Sequence, residues 1–247
     1  MARTFSLALA ATAIALTPAC AQEQVGTADK EAIEKIVAEY IIENPQIIED
    51  ALIALSEQRA AEEAEQARAA IAENRDALIN NAGDFSIGPA DAPVTVVEFF
   101  DYSCGFCKRS AEWATELPEK YDNQVRVVFK EFPILSTESE KAALAAIAAG
   151  KQDKYVEMHM ALMELDNGSG FGPDQIDAAA ESVGVDVATM RAYMTSIEVQ
   201  KIVADAISLA RTLGITGTPA FIIGDEAISG ADIQRVEALI EAALAEG

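Results

Sequence analysis

Val94-Thr95-Val96-Val97-Glu98-Phe99-Phe100-Asp101-Tyr102-Ser103-Cys104-Gly105-Phe106-Cys107 runs from an apolar stretch through a polar turn into a CxxC pair. Apart from Thr95 and Glu98 its first seven residues are apolar, as in a strand covered on both faces. A strand that hands over to a helix at Asp101-Tyr102-Ser103 sets Cys104 at the helix N-terminus. Unpaired backbone N–H groups and the positive end of the helix dipole favour a thiolate there. The thiolate is the form that attacks disulfides. Cys107 follows at i+3, about 5–6 Å away between Cβ atoms, so a small adjustment closes a disulfide. The pair reads as a dithiol that opens and closes.

Two other uses of a CxxC compete with this one. A zinc site needs four ligands, and the chain has neither a second CxxC nor a His pair, since His159 is its single histidine. An inert disulfide across so short a loop stabilises little by loop closure. Met158-His159-Met160 with Met163 could offer metal donors, but helical spacing turns Met158 and Met160 about 200° apart. Packing by flexible Met side chains, with His159 structural or at the surface, fits better. Cu(I) held by Cys104 and Cys107 themselves stays open, because soft thiolates suit that ion. Otherwise no resident metal or cofactor is called for.

Residues 1–21 carry Arg3, an apolar stretch over 7–16 and Pro18-Ala19-Cys20-Ala21, the pattern of a secretory signal cleaved after Ala21. The apolar stretch is too short to span a bilayer. The rival is cleavage before Cys20 with lipid attachment, but Thr17 and Pro18 fit that signal poorly. The expected location is the periplasm. A mature chain whose cysteines are Cys104 and Cys107 uses them for chemistry rather than cross-linking. The formal net charge of −23 excludes bulk attraction to nucleic acid or anionic lipid.

Residues 22–82 read as a helical arm and stalk. Ile33, Ile36, Val37, Tyr40 and Ile41 recur at helical spacing, and Asn44-Pro45 reads as N-cap and N1 of a second helix. That helix begins with Ile47, Ile48, Ala51, Leu52 and Leu55. Over 56–70 it has no large apolar residue, though its helix propensity is high. Ile71, Leu78 and Ile79 follow before Asn81-Ala82-Gly83 ends the run. So small an amphipathic pair needs a partner surface. Self-association supplies one, and folding back onto the rest of the chain is the alternative.

Residues 83–247 read as a second domain. Phe85-Ser86-Ile87 is a short strand and 125–129 the strand after the CxxC helix, which makes a βαβ unit. Helical periods without a strand fill 136–213, broken near Gly150, over 166–170, at Gly184 and near Thr195-Ser196. Strand character returns at Ala220–Ile223, turns at Gly224-Asp225-Glu226 into Ala227-Ile228, and a helix over 231–245 closes the chain. The layout is α/β: β-β-α-β, a block of helices, then β-β-α.

The stretch from Glu98 to Cys107, with Gly217-Thr218-Pro219-Ala220 much later, resembles the DsbA family of secreted thiol:disulfide oxidoreductases. The region Tyr40-Ile41-Ile42-Glu43-Asn44-Pro45 is similar to the oligomerising extension of that family's suppressor-of-copper-sensitivity branch, whose members are often disulfide isomerases. The resemblance implies a thioredoxin fold with an inserted all-helical subdomain, plus the N-terminal helical arm. It implies Cys104 as the attacking thiolate, Cys107 as the buried resolving thiol and Pro219 as a cis-proline facing them. Thr218 and Phe106 would contact substrate, with the Thr218 backbone offered to an extended segment. Glu98 would exchange a proton with Cys107. As an ordinary strand carboxylate it reaches solvent or pairs with Lys130 instead.

One departure bears on direction. Strong oxidants of the family carry Pro-His between the cysteines, whereas Gly105-Phe106 has no such donor. Only the helix terminus, with Lys108 and Arg109, remains to favour the thiolate, which implies a less oxidising couple. A disulfide isomerase or reductase is therefore expected, with a disulfide-donating oxidase and a Cu(I)-binding protein as alternatives. The implied partners are cysteine-containing protein substrates, a membrane redox partner and further copies of the chain.

Overall fold

The computed structural model describes residues 27–167 and 171–246. The signal segment with Cys20 lies outside them, as does part of the 166–170 break. The chain divides into two compact units, 1–58 and 59–247.

In the first unit α1 (Thr27–Glu43) leads to the start of α2 (Gln46–Glu73). Asn44 does not act as the sequence suggests: its side-chain amide donates to the Tyr40 carbonyl at 2.9 Å and so closes α1. An amide carries donors as well as an acceptor, and the end of α1 offers orphan carbonyls. Ile33, Ile36, Val37, Tyr40, Ile48 and Leu52 are all exposed in the single chain.

The second unit takes the end of α2, then α3 (Arg75–Ile79), β1 (Phe85–Ile87), β2 (Val94–Phe100), α4 (Gly105–Lys120) and β3 (Val125–Glu131). A helical block follows: α5 (Thr137–Gly150), α6 (Tyr155–Glu164), α7 (Pro173–Ser182), α8 (Val187–Met194) and α9 (Ile197–Thr212). The chain then adds β4 (Ala220–Ile223), β5 (Glu226–Ser229) and α10 (Ile233–Glu246). The strands form one sheet in the order β1-β3-β2-β4-β5. β2 pairs in parallel with β3, Val94 opposite Val125 through Phe100 opposite Glu131, and all other pairings are antiparallel. This is the thioredoxin arrangement with a helical insertion, as the resemblance implied.

Alternation along β2 and β3 sorts the core into two layers. Val96, Phe100, Val127 and Phe129 join Leu117 of α4, the alanines of α5 and Ile240 of α10. Val97, Phe99 and Val128 face the other way, onto Leu209 and Ala210 of α9 and onto Ile71 and Leu78. Ile71 and Leu78 are thus core residues of this unit. The helical run is interrupted between them, where the Asn74 side chain donates to the Ala70 carbonyl at 2.8 Å. α5 is buried along Ala142, Ala143, Ala145, Ala146, Ala148 and Ala149, and small side chains let its neighbours approach from several sides. Gly88, at φ +85°, sits where a Cβ would meet the Val125 carbonyl oxygen at 2.4 Å, so the connector into β2 requires glycine.

β3 runs two residues past the expected strand and ends in two buried ionisable residues, Lys130 and Glu131. Lys130, its side chain 1% exposed, pairs with Asp84 and donates to the Ala77 carbonyl at 2.6 Å. Burial pushes the lysine's pKa down and the carboxyl's up, each against the pull of its partner. The contact ties the chain between α3 and β1 to the sheet. Lys130→Met strands Asp84 and is expected to cost about 3–5 kcal/mol in urea unfolding. Adding Asp84→Asn is expected to restore part of that loss.

Candidate active site

Cys104 is the N-cap of α4, with extended backbone (φ −79°, ψ 114°), and its sulfur accepts from the Cys107 amide at 3.4 Å. Both cysteines are free thiols; Cys104 is 6% exposed and Cys107 fully buried. On the other side the Cys104 thiol donates to the Thr218 carbonyl at 3.2 Å. The Thr218–Pro219 peptide is cis. The fold thus brings Cys104, Cys107, Thr218 and Pro219 together, although 114 positions separate Cys104 from Thr218 in the chain. Phe106 projects from the first turn of α4, 58% exposed.

Burial pushes the Cys107 thiol well above its ordinary range, opposed by the Asp101 backbone and reinforced by Glu98. Glu98 lies opposite Phe129 in the parallel register, on the layer that also holds Cys107. It is 1% exposed, and neither oxygen meets a donor among the described residues. Burial alone raises its pKa from 4.5 to about 8. The alternative pairing with Lys130 is absent, because Lys130 is the next residue along β3 and faces the opposite layer, toward Asp84.

The two cations after the CxxC are turned elsewhere. Lys108 donates to the Leu162, Met163 and Leu165 carbonyls at 3.4, 3.2 and 2.6 Å, closing the end of α6. Partial burial lowers its pKa. Arg109 donates to the Gly105 carbonyl at 2.9 Å and lies over the Phe106 ring.

Sequence reasoning missed the bracing of the turn. Asp101 accepts from the Ser103, Ile134 and Leu135 amides at 2.7, 2.8 and 2.9 Å and from the Ser139 hydroxyl at 2.5 Å. Tyr102 donates to Glu131 at 3.1 Å, as does Tyr155 at 2.9 Å. The Tyr102 oxygen also lies 3.1 Å from His159 Nδ1. His159 is 1% exposed, and burial lowers its pKa to about 3, so it is neutral. A neutral ring with its proton on Nδ1 donates to Tyr102 and leaves that hydroxyl free for Glu131. The Asp101-x-Ser103 spacing is an Asx-turn signal that could have flagged Asp101. Nothing local marks His159 as its neighbour.

A family model described as the DSBA-like thioredoxin domain matches residues 95–242. One described as the copper resistance protein ScsC N-terminal domain matches residues 29–62. A thioredoxin-like oxidoreductase from Silicibacter pomeroyi is 35% identical in sequence, covers 69% of this chain and 97% of its own, and superposes with a TM-score of 0.64. A linker-deletion mutant of ScsC from Proteus mirabilis is 29% identical, covers 92% of this chain and 100% of its own, and has a TM-score of 0.65. A Na+/H+ antiporter, NhaA 1 of Salinispora arenicola, is 29% identical over 64% of this chain. That match takes in 24% of the antiporter, so the chain spans about a quarter of its length. Among the described residues no helix is long and apolar enough to cross a membrane.

Glu98 has a measurable signature. Its proton is held more tightly folded than unfolded, so its contribution to stability is complete below the ordinary carboxylate range and is lost as pH rises through about 8. Glu98→Gln is therefore expected to gain stability relative to the parent between pH 5 and pH 8, by up to about 4 kcal/mol. Urea unfolding of the two proteins across that range checks it.

Proposed function

The chain belongs to the family of DSBA-like thioredoxin-domain proteins, and on that premise we propose that it is an exported thiol:disulfide oxidoreductase acting on protein disulfides as an isomerase and reductase. The observation that carries the reading is the Cys104 sulfur, at the N-cap of α4 and 3.2 Å from the Thr218 carbonyl, with Cys107 buried behind it. The Cys104 thiolate attacks one sulfur of a substrate disulfide. That S–S bond breaks, the second substrate sulfur leaves as a thiolate, and a Cys104–substrate disulfide forms.

Two exits follow. The released thiolate attacks another substrate disulfide, and the bonds rearrange with no net electron transfer. Alternatively Cys107 gives up its proton and attacks the Cys104 sulfur. This closes the Cys104–Cys107 disulfide, frees the substrate sulfur that was joined to Cys104 and completes the passage of two electrons to the substrate. Glu98 exchanges the Cys107 proton; a carboxyl that titrates near neutral pH is matched to that task. The Thr218 backbone pairs with the substrate segment. Pro219 contributes no N–H to compete for the sulfur, and Phe106 gives the segment an apolar contact.

The direction is supported by two features. Burial holds Cys107 in its thiol form, so the mixed disulfide lasts long enough to rearrange. The exposed apolar residues of α1 and early α2 suit association with further copies, which would raise the number of dithiols near one substrate. A membrane reductase would return Cys104 and Cys107 to the dithiol.

Cys107→Ser is expected to accumulate a mixed disulfide through Cys104, visible by mass under non-reducing conditions, and Cys104→Ser to form none. The parent chain is expected to restore activity to a scrambled multi-disulfide substrate and to sediment as more than one chain. Ile36→Asp with Leu52→Asp is expected to sediment as a single chain and to unscramble about tenfold more slowly. Equal unscrambling by that variant would refute the role of the arm. Rapid oxidation of a reduced substrate without unscrambling would identify a disulfide donor.

A further inference from the structure

Arg109 is exposed on α4, its guanidinium carbon 4.4 Å from the centroid of the Phe106 ring. Nη1 donates to the Gly105 carbonyl at 2.9 Å. These contacts set the plane of the fork yet use one of its five N–H donors. The side chain leans toward the helix N-terminus, as helical side chains do, and so lies over Phe106 rather than beside Glu112. Lys120, Lys130, Arg191 and Lys201 are each held by a carboxylate. Arg109 is in no ion pair among the described residues. In a chain with 41 acidic and 18 basic residues, an uncompensated cation one helical turn from the nucleophile's neighbour Gly105 is a specific placement.

The position matters because Gly105, whose carbonyl Arg109 holds, is bonded to Cys104. A substrate joined to the Cys104 sulfur has the Thr218 carbonyl within reach of its backbone. Its side chains flanking the cysteine meet the Phe106–Arg109 pair. The ring fixes the fork before the substrate arrives, and a planar fork accepts a carboxylate through two parallel hydrogen bonds. An ammonium in the same place is repelled. The net charge of −23 disfavours acidic segments at long range, but ordinary salt screens that beyond about 10 Å. Contact with the fork then decides.

We propose that Arg109, seated on Phe106, is a carboxylate subsite that selects substrate segments carrying Asp or Glu next to the reacting cysteine. The inference rests on the oxidoreductase reading above and adds to it a class of substrate.

The test uses three disulfide peptides identical except for Glu, Gln or Lys beside the cysteine. Their kcat/KM for reduction is measured with the full chain, Arg109→Gln and Arg109→Lys, together with the equilibrium constant of the Cys104–Cys107 couple against glutathione. For the parent, the Glu peptide is expected to exceed the Lys peptide about fivefold, the scale of a single partly exposed ion pair. Arg109→Gln is expected to bring that ratio close to one. Arg109→Lys, which keeps the charge but not the fork, is expected to fall between, and the equilibrium constant to stay within about twofold throughout. A parent ratio near one, or the same ratio in Arg109→Gln, overturns the proposal. So does an equal loss on all three peptides with a shifted equilibrium constant, which would place the effect on Cys104 instead. Failure of the parent to reduce any peptide would remove the oxidoreductase reading itself.

Discussion

Four hydrogen bonds converge on the Asp101 carboxylate at the end of β2. A buried charge persists when donors replace the water it has lost, and here the donors come from two separate chain reversals. One leads into Cys104 and the other leaves β3 for α5. Parallel pairing of β2 and β3 delivers both reversals to the same end of the sheet. Asp101 locks them together, and the hydroxyls of Ser103, Ser136 and Ser139 extend the lock. The extended N-cap geometry of Cys104 is the next link in that chain of constraints.

Much of this was readable in advance where local pattern and burial agree. Phe85–Ile87, Val94–Phe100 and Ala220–Ile223 lie where their apolar runs placed them. The CxxC helix ends at Lys120 despite Pro118, because a proline in the last turn removes little of the ladder. What could not be read depends on partners distant in sequence. Lys130 and Glu131 look like the polar end of a strand, but Asp84 and two tyrosines keep them inside. Ile71 and Leu78 look like part of an exposed run until β2 is present to cover them. Asn44 could cap either neighbouring helix, and which one it served was a matter of geometry.

The charges beneath the dithiol are treated unequally. Asp101 is saturated with donors and Glu131 receives two hydroxyls, while Glu98 receives none among the described residues. A fold that satisfies two buried acids and leaves a third bare on the layer of the resolving thiol concentrates its electrostatic cost at one place. That cost leaves Glu98 a carboxyl that exchanges a proton near neutrality. Stability and reactivity are opposed at Glu98 and aligned at Asp101.

Lys108 joins the reacting helix to the end of α6 through three main-chain carbonyls, with the Phe171 ring 5.3 Å from its ammonium. Every residue presents the same carbonyl, so those three bonds recognise a path of the backbone and are indifferent to the side chains along it. The far side of that helical block is therefore free to diverge. Side chains there can be exchanged, residue by residue, while the dithiol stays in register with the sheet.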